Sequence, residues 1–268
     1  MIQIFEANEN GDIGQADFAM MLFDAYQPNV QDGFGFDIEY LRLTVQGRSL
    51  FATGDFVGAL PSFFRAYEIC RENLRSFGSN EVWWLIYRFA MCLIRMGEFD
   101  LAIGLLLESL RAYAVQDPSN WKFCCQFRLA KLYQNYQYFA LAINIYSDII
   151  LSHLADEFME AKCYLEMGRL EFIHGGALGL ERAEAIQTCV RAFQNALRLF
   201  ELVGGNAGNM GCVESLRGLS SCQEECRDLR GALRSLQRAR IFADQATSVS
   251  LRREIQALEQ QLVIVRHE

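Results

Sequence analysis

A chain of 268 residues, 51% apolar and 22% charged, is long enough to bury its own core and too apolar to stay disordered. Its formal charge of −8, from 33 acidic against 25 basic side chains, argues against a phosphate-binding footprint and hence against a nucleic-acid partner. The nine cysteines are odd in number and lack zinc spacing, and the three histidines cluster with nothing, so reduced structural thiols are expected rather than a disulfide or metal framework.

The opening MIQIFEANENG shows no basic stretch followed by an apolar one, so no secretory leader is expected. Residues 11–23, GDIGQADFAMMLF, begin a pattern that returns as GDFVGALPSFFRA at 54–66 and GEFDLAIGLLLES at 97–109. Each copy starts with Gly and an acid, places a small residue five positions after the glycine, and a large one four further on. The small position recurs at Ala16, Ala59, Ala102, Ala142, Cys189 and Ala232, spaced 43, 43, 40, 47 and 43. Met20, Phe63, Leu106, Tyr146, Phe193 and Leu236 hold the large position. Twelve residues upstream of the small residue stands a pair that ends in a second small one: Gln46–Gly47, Phe89–Ala90, Leu129–Ala130 and Leu219–Ser220.

Met167–Gly168 is the same pair with nine extra residues, which fall on HGGALGLERA (174–183) and predict a glycine-rich inter-helix loop. Residues 29–38, following Pro28, predict another loop, and DPSN (117–120) a turn. GGNAGNMG (204–211) predicts a flexible connection into the last hairpin. Ser250 is placed to cap a terminal helix whose apolar residues Leu251, Ile255, Leu258, Leu262 and Val265 form one stripe. That stripe predicts a cover for the last repeat, with a short coiled-coil seam as the alternative. The longest apolar runs, such as Leu101 to Leu107, fall well short of the ~20 residues a bilayer requires, so no membrane insertion is expected.

Two antiparallel helices approach closely only where small residue faces small residue, and large residues a turn away fill the space to the next hairpin. Gly47, Leu50, Ala59, Phe63 and Ala66 in one unit, and Ala90, Leu93, Gly97, Phe99, Ala102 and Leu106 in the next, resemble the tetratricopeptide repeat (TPR). With a period near 43, the resemblance is to the long-helix, kinesin-light-chain and LGN type, and it covers about residues 11–247. It implies an all-α, TPR-like right-handed α-solenoid of about five to six helical hairpins with a C-terminal capping helix. A partial hairpin at 1–28, the array at 37–247 and the cap at 248–268 are expected. A HEAT-like or 14-3-3-like helical array is the alternative.

Residues 4–18 also resemble an EF-hand loop, with Gly11 at the turn and Ile13 at the core position. Glu6, Asn8, Asn10, Asp12 and Asp17 would supply the oxygens, although Glu opens the loop and Asp closes it where the family reverses the two. The same Gly11, Ile13 and Ala16 fit the repeat register, so a plain repeat turn and a weak calcium loop both stand. No other cofactor is expected.

The TPR resemblance implies that first helices line the partner-binding groove. By register the contact positions are Arg48, Phe51, Trp84, Tyr87, Met91, Phe127, Lys131, Lys162, Arg169 and Arg217, an apolar and aromatic surface with scattered cations. Aromatic and Arg side chains are the usual carriers of interface energy, so an apolar helix or strand with acidic flanks is the natural complement. Thr44, Tyr87, Phe127 and Leu165 stand where a chaperone-type carboxylate clamp needs its first Lys or Asn, so an EEVD-like tail is not expected. No phosphate-loop or nucleophile-elbow motif occurs, and the expected function is non-enzymatic: a scaffold or adaptor subunit holding a protein partner. Mean hydropathy of +0.05 suits a protein living inside a larger assembly. The resemblance extends this to an intracellular, cytoplasmic, cytoskeletal or ciliary setting, with an organelle as another. A calcium-responsive regulator using the 6–17 loop is the alternative function.

Overall fold

The computed structural model describes residues 35–73, 79–112 and 120–265. The expected hairpin at 1–28, with Ala16 and Met20, lies outside them. Among the described residues there are eleven α-helices and no strand. Two compact units divide the chain, Met1–Cys125 and Gln126–Glu268. The first holds α1 (Gly35–Ala52), α2 (Phe56–Glu72), α3 (Ser79–Met96), α4 (Phe99–Ala112) and the start of α5 (Asn120–Asn135). The second holds the rest of α5, then α6 (Phe139–Leu151), α7 (Glu157–His174), α8 (Arg182–Val203), α9 (Gly205–Glu225), α10 (Leu229–Phe242) and α11 (Gln245–Val265).

One turn closes four of the hairpins, and it explains the glycine of the repeat. Gly54, Gly97, Gln137 and Arg227 each stand five residues before the small position, and each has φ between +60° and +84°. The amide after each reaches back to close the first helix: Asp55 N donates to Leu50 O, Glu98 N to Leu93 O, Tyr138 N to Tyr133 O and Asp228 N to Gln223 O, at 2.8–2.9 Å. This is a Schellman cap, which needs a left-handed residue. Glycine takes that conformation freely, while Gln137 and Arg227 carry a cost of about 1–2 kcal/mol. Asp55 and Asp228 then start the next helix, their carboxylates accepting from Gly58 N and Gly231 N at 2.8 Å.

The small–large alternation is the core. Ala59, Ala102, Ala142, Cys189 and Ala232 are 0% exposed, and Phe63, Leu106, Tyr146, Phe193 and Leu236 are at most 3% exposed. Their opposite numbers Gly47, Ala90, Ala130, Gly168 and Ser220 are buried as well. In the first unit a Cβ on Gly47 would stand 2.8 Å from the Phe63 ring. In the second unit Phe193 lies between two first helices, 2.9 Å from a Cβ on Gly168 and 2.5 Å from one on Gly218. Ser220 Oγ donates to Ala232 O at 3.3 Å, so a hydroxyl takes over the seam where the last hairpin lacks an alanine.

Of the expected loops, 29–34 and 117–119 lie outside the described residues. Helix α1 already begins at Gly35, inside the expected 29–38 loop, and Asn120 of DPSN is the first residue of α5. The nine extra residues of 174–183 form a 3-10 turn at Gly175–Leu178 and a longer α8 of 22 residues. GGNAGNMG is not a flexible connection: α9 starts at Gly205, and only Gly204 and Gly205 have positive φ. Gly208 and Gly211 are bare because the Phe200 carbonyl and ring lie where their side chains would be. Ser250 sits inside α11, whose start is capped by Asp244 Oδ1 accepting from Thr247 N at 2.7 Å. Leu251, Ile255 and Leu258 of α11 are buried in the core of the second unit, as a covering helix requires.

Candidate partner-binding surface

In the first unit the first helices α1, α3 and α5 carry a cluster of rings and guanidinium groups. Arg88 Cζ stands 5.4 Å from the Trp84 ring, 5.9 Å from Phe51, and 6.0 Å from both Tyr87 and Trp121. Arg48 Cζ approaches Trp84 from α1 at 5.7 Å. Tyr87 and Trp121 stack obliquely at 5.2 Å, and Trp84 meets Phe63 of α2 edge-on at 6.0 Å. Both cations therefore rest on ring faces, where each contact contributes about 0.5–2 kcal/mol depending on desolvation.

The first helices of the second unit are joined by ions instead. Lys131 Nζ of α5 donates to Glu166 Oε2 of α7 at 2.8 Å, and Arg169 Nη1 donates to Glu166 Oε1 at 3.0 Å. Arg169 Nη2 continues to Glu214 of α9 at 3.3 Å. One turn further along α9, Arg217 grips Glu254 of α11 with two nitrogens at 3.2 and 2.7 Å and donates to Ser250 Oγ at 3.0 Å. Lys162 Nζ lies over Phe127 at 4.6 Å and Phe158 at 5.2 Å. Beside Arg217, a cavity of about 540 Å³ opens between α9, α10 and α11, lined by Ser220, Ser221, Glu224 and Gln261 among others.

The ten expected contact positions separate into two sets. Arg48, Trp84, Met91 and Phe127 are buried at 5–8% exposure, so these four are packing residues of the helix seams. Phe51, Tyr87, Lys131, Lys162, Arg169 and Arg217 are half-buried. The repeat register sets Trp84 among the contact positions, while in the fold its ring turns in to meet Phe63. Arg88 and Trp121 were missed: Trp121 lies at the start of α5, six residues before the expected contact Phe127. Glu166 and Glu254 were missed because their partners lie 35 and 37 residues away on neighbouring helices.

The calcium-loop residues Glu6, Asn8, Asn10, Asp12 and Asp17 lie outside the described residues. Among the described residues no group of three or more His, Cys, Asp or Glu is placed to hold a metal ion. No helix of the described residues is long and apolar enough to cross a membrane. Burial pushes the Cys70 and Cys92 thiols up to about 12 and Cys212 to about 11, so these three stay protonated at neutral pH.

Neither a protein-family profile nor a curated protein sequence matches the chain. Solved structures do. BtubC (BKLC) from P. vanneervenii superposes with a TM-score of 0.65 at 16% identity, over 88% of this chain and 91% of that one. The apo form of the quorum sensor NprR from B. thuringiensis gives 0.66 at 14% identity, over 93% of this chain and 67% of that one. Kinesin light chain TPR-like repeats from Podosopora anserina give 0.56 at 15% identity, over 76% and 95%. The fold is thus the all-α, TPR-like α-solenoid that the repeats implied.

Proposed function

We propose that the chain is a non-enzymatic protein–protein interaction scaffold, an adaptor subunit that holds a partner segment against its first helices. The supporting observation is the cluster of Phe51, Tyr87, Arg88 and Trp121, half-buried side chains gathered from three neighbouring first helices. Rings and arginines that are already ordered against one another lose little entropy when covered, which is what an interface anchor needs. The partner is an apolar helix or strand with acidic flanks. The mean hydropathy of +0.05, and exposed apolar side chains such as Val57, Leu101, Ile173 and Ile241, fit residence in a larger cytoskeletal, ciliary or organellar assembly.

The test is crosslinking mass spectrometry on material purified from the native source, with a carboxylate- or photo-reactive reagent, since only three lysines are present. Stoichiometric partners crosslinked beside Tyr87 and Trp121, and lost in Tyr87→Ala/Trp121→Ala, are the expected result. A lone monomer with no such crosslinks sinks the reading. The oxygen spacing of the 6–17 loop favours a second one, calcium-responsive regulation. Calorimetry at millimolar calcium should then show heat that Asp17→Ala abolishes; no heat removes it.

A further inference from the structure

The small position of the repeat is alanine in α2, α4, α6 and α10, but in α8 it is Cys189. Its sulfur lies 3.1 Å from the sulfur of Cys222 on α9. Both residues are 0% exposed, and they belong to adjacent hairpins, 33 residues apart. A disulfide has its sulfurs about 2.05 Å apart, so a closure of roughly 1 Å separates the reduced pair from the bonded one.

We propose that Cys189 and Cys222 are a redox-active dithiol whose disulfide staples α8 to α9. A hydrogen bond joins the two sulfurs, with either able to donate, and Cys189 Sγ also reaches Ile186 O at 3.1 Å. Either thiol can therefore open the reaction as its thiolate, with the other resolving it. The oxidant is a hydroperoxide. One thiolate of the pair attacks the terminal peroxide oxygen, the O–O bond breaks, and the alcohol leaves with the proton that thiol gave up. The other sulfur then attacks the sulfenic sulfur, the S–O bond breaks, water leaves and the S–S bond forms. Two thiols give up two electrons, and the peroxide is reduced to alcohol and water. The link spans the seam where Phe193 nests on Gly218 and Phe200 on Gly211, so it fixes the spacing of the last two hairpins. It stands independently of any partner bound by the first helices.

The test uses the reduced whole chain, treated under non-denaturing conditions with one equivalent of tert-butyl hydroperoxide, then alkylated, digested and analysed by mass spectrometry. A Cys189–Cys222 link with the loss of two hydrogens per chain is expected, reversible by dithiothreitol. It should be accompanied by slower hydrogen exchange in α8 and α9. Cys222 and Cys226 share one tryptic peptide, so Cys226→Ser, which should form the same link, fixes the assignment. Cys189→Ala places at that position the residue the other five copies of the repeat carry and should form no link. Oxidation confined to the exposed Cys226, with Cys189 and Cys222 alkylated as free thiols after unfolding, overturns the proposal. So does either cysteine of the pair stopping at sulfinic acid while the other stays free.

Discussion

The first-helix faces of the two units hold most of their cations in different ways. In the first, Arg48 and Arg88 lie on the rings of Trp84, Tyr87 and Trp121. In the second, the same tier of helices is tied by Lys131, Glu166, Arg169 and Glu214 in an alternating chain, with Arg217–Glu254 beyond it. One backbone pattern thus supports two adhesives. A surface whose cations are already answered by its own acids has little left for an acidic partner. The expected scattered cations therefore do not form one binding chemistry: those of the second unit chiefly hold helices together.

The largest effect should come from the rings. Trp84→Ala removes a buried indole between α1, α2 and α3 and should cost about 3–5 kcal/mol in urea unfolding. Phe193→Ala should cost as much in the second unit, because two backbones close on that ring. Glu166→Gln comes next, since that carboxylate is 13% exposed and serves two cations. A loss of about 1–2 kcal/mol is expected, shrinking in 1 M NaCl. If Trp84→Ala proves as salt-sensitive as Glu166→Gln, the contrast between the faces fails.

Smaller still, and opposite in sign, is Tyr146→Phe. The Tyr146 hydroxyl is buried beneath the ionic face with no hydrogen-bond partner among the described residues, so its removal should stabilise by about 1 kcal/mol. The smallest effect concerns Glu171, whose carboxyl is pushed up by burial against the pull of its hydrogen bond with Thr188. A carboxyl raised in the folded state binds its proton more tightly there than in the unfolded chain. Its destabilising contribution is thus absent at low pH and grows as pH rises through the ordinary carboxylate range. Glu171→Gln should therefore be more stable than the parent at pH 7 and level with it near pH 3. A constant gap across that range would show that charge is not the cause.

The sequence carried the repeat register almost residue by residue, because the demand for a small residue at a helix crossing is local and periodic. Ala59, Ala102 and Ala232 were legible for that reason, as was the stripe of Leu251, Ile255 and Leu258. Contacts set by the spacing of neighbouring helices were not. The acids that pair with Lys131 and Arg217 lie on later helices, and no period links them. Glycine misled at 204–211, where its abundance suggested slack and its cause is the bulk of Phe200. Trp84 misled in the reverse direction, since a tryptophan on the outward turn of a schematic helix turns out to complete the seam.

The nesting of Phe193 bears on how such an array can be lengthened or can evolve. The ring needs a vacancy in the helix before it and another in the helix after it, Gly168 and Gly218, so the smallest self-sufficient piece spans three helices, not two. Duplicating α7 and α8 alone would leave one face of the copied ring against whatever side chain the next helix happened to bring. A change at any of the three positions invites a compensating change at the other two: Phe193→Leu should make Gly218→Ala tolerable where the single alanine is not. Inheritance along this chain would then run in overlapping triplets, with every hairpin holding part of its neighbour's fit.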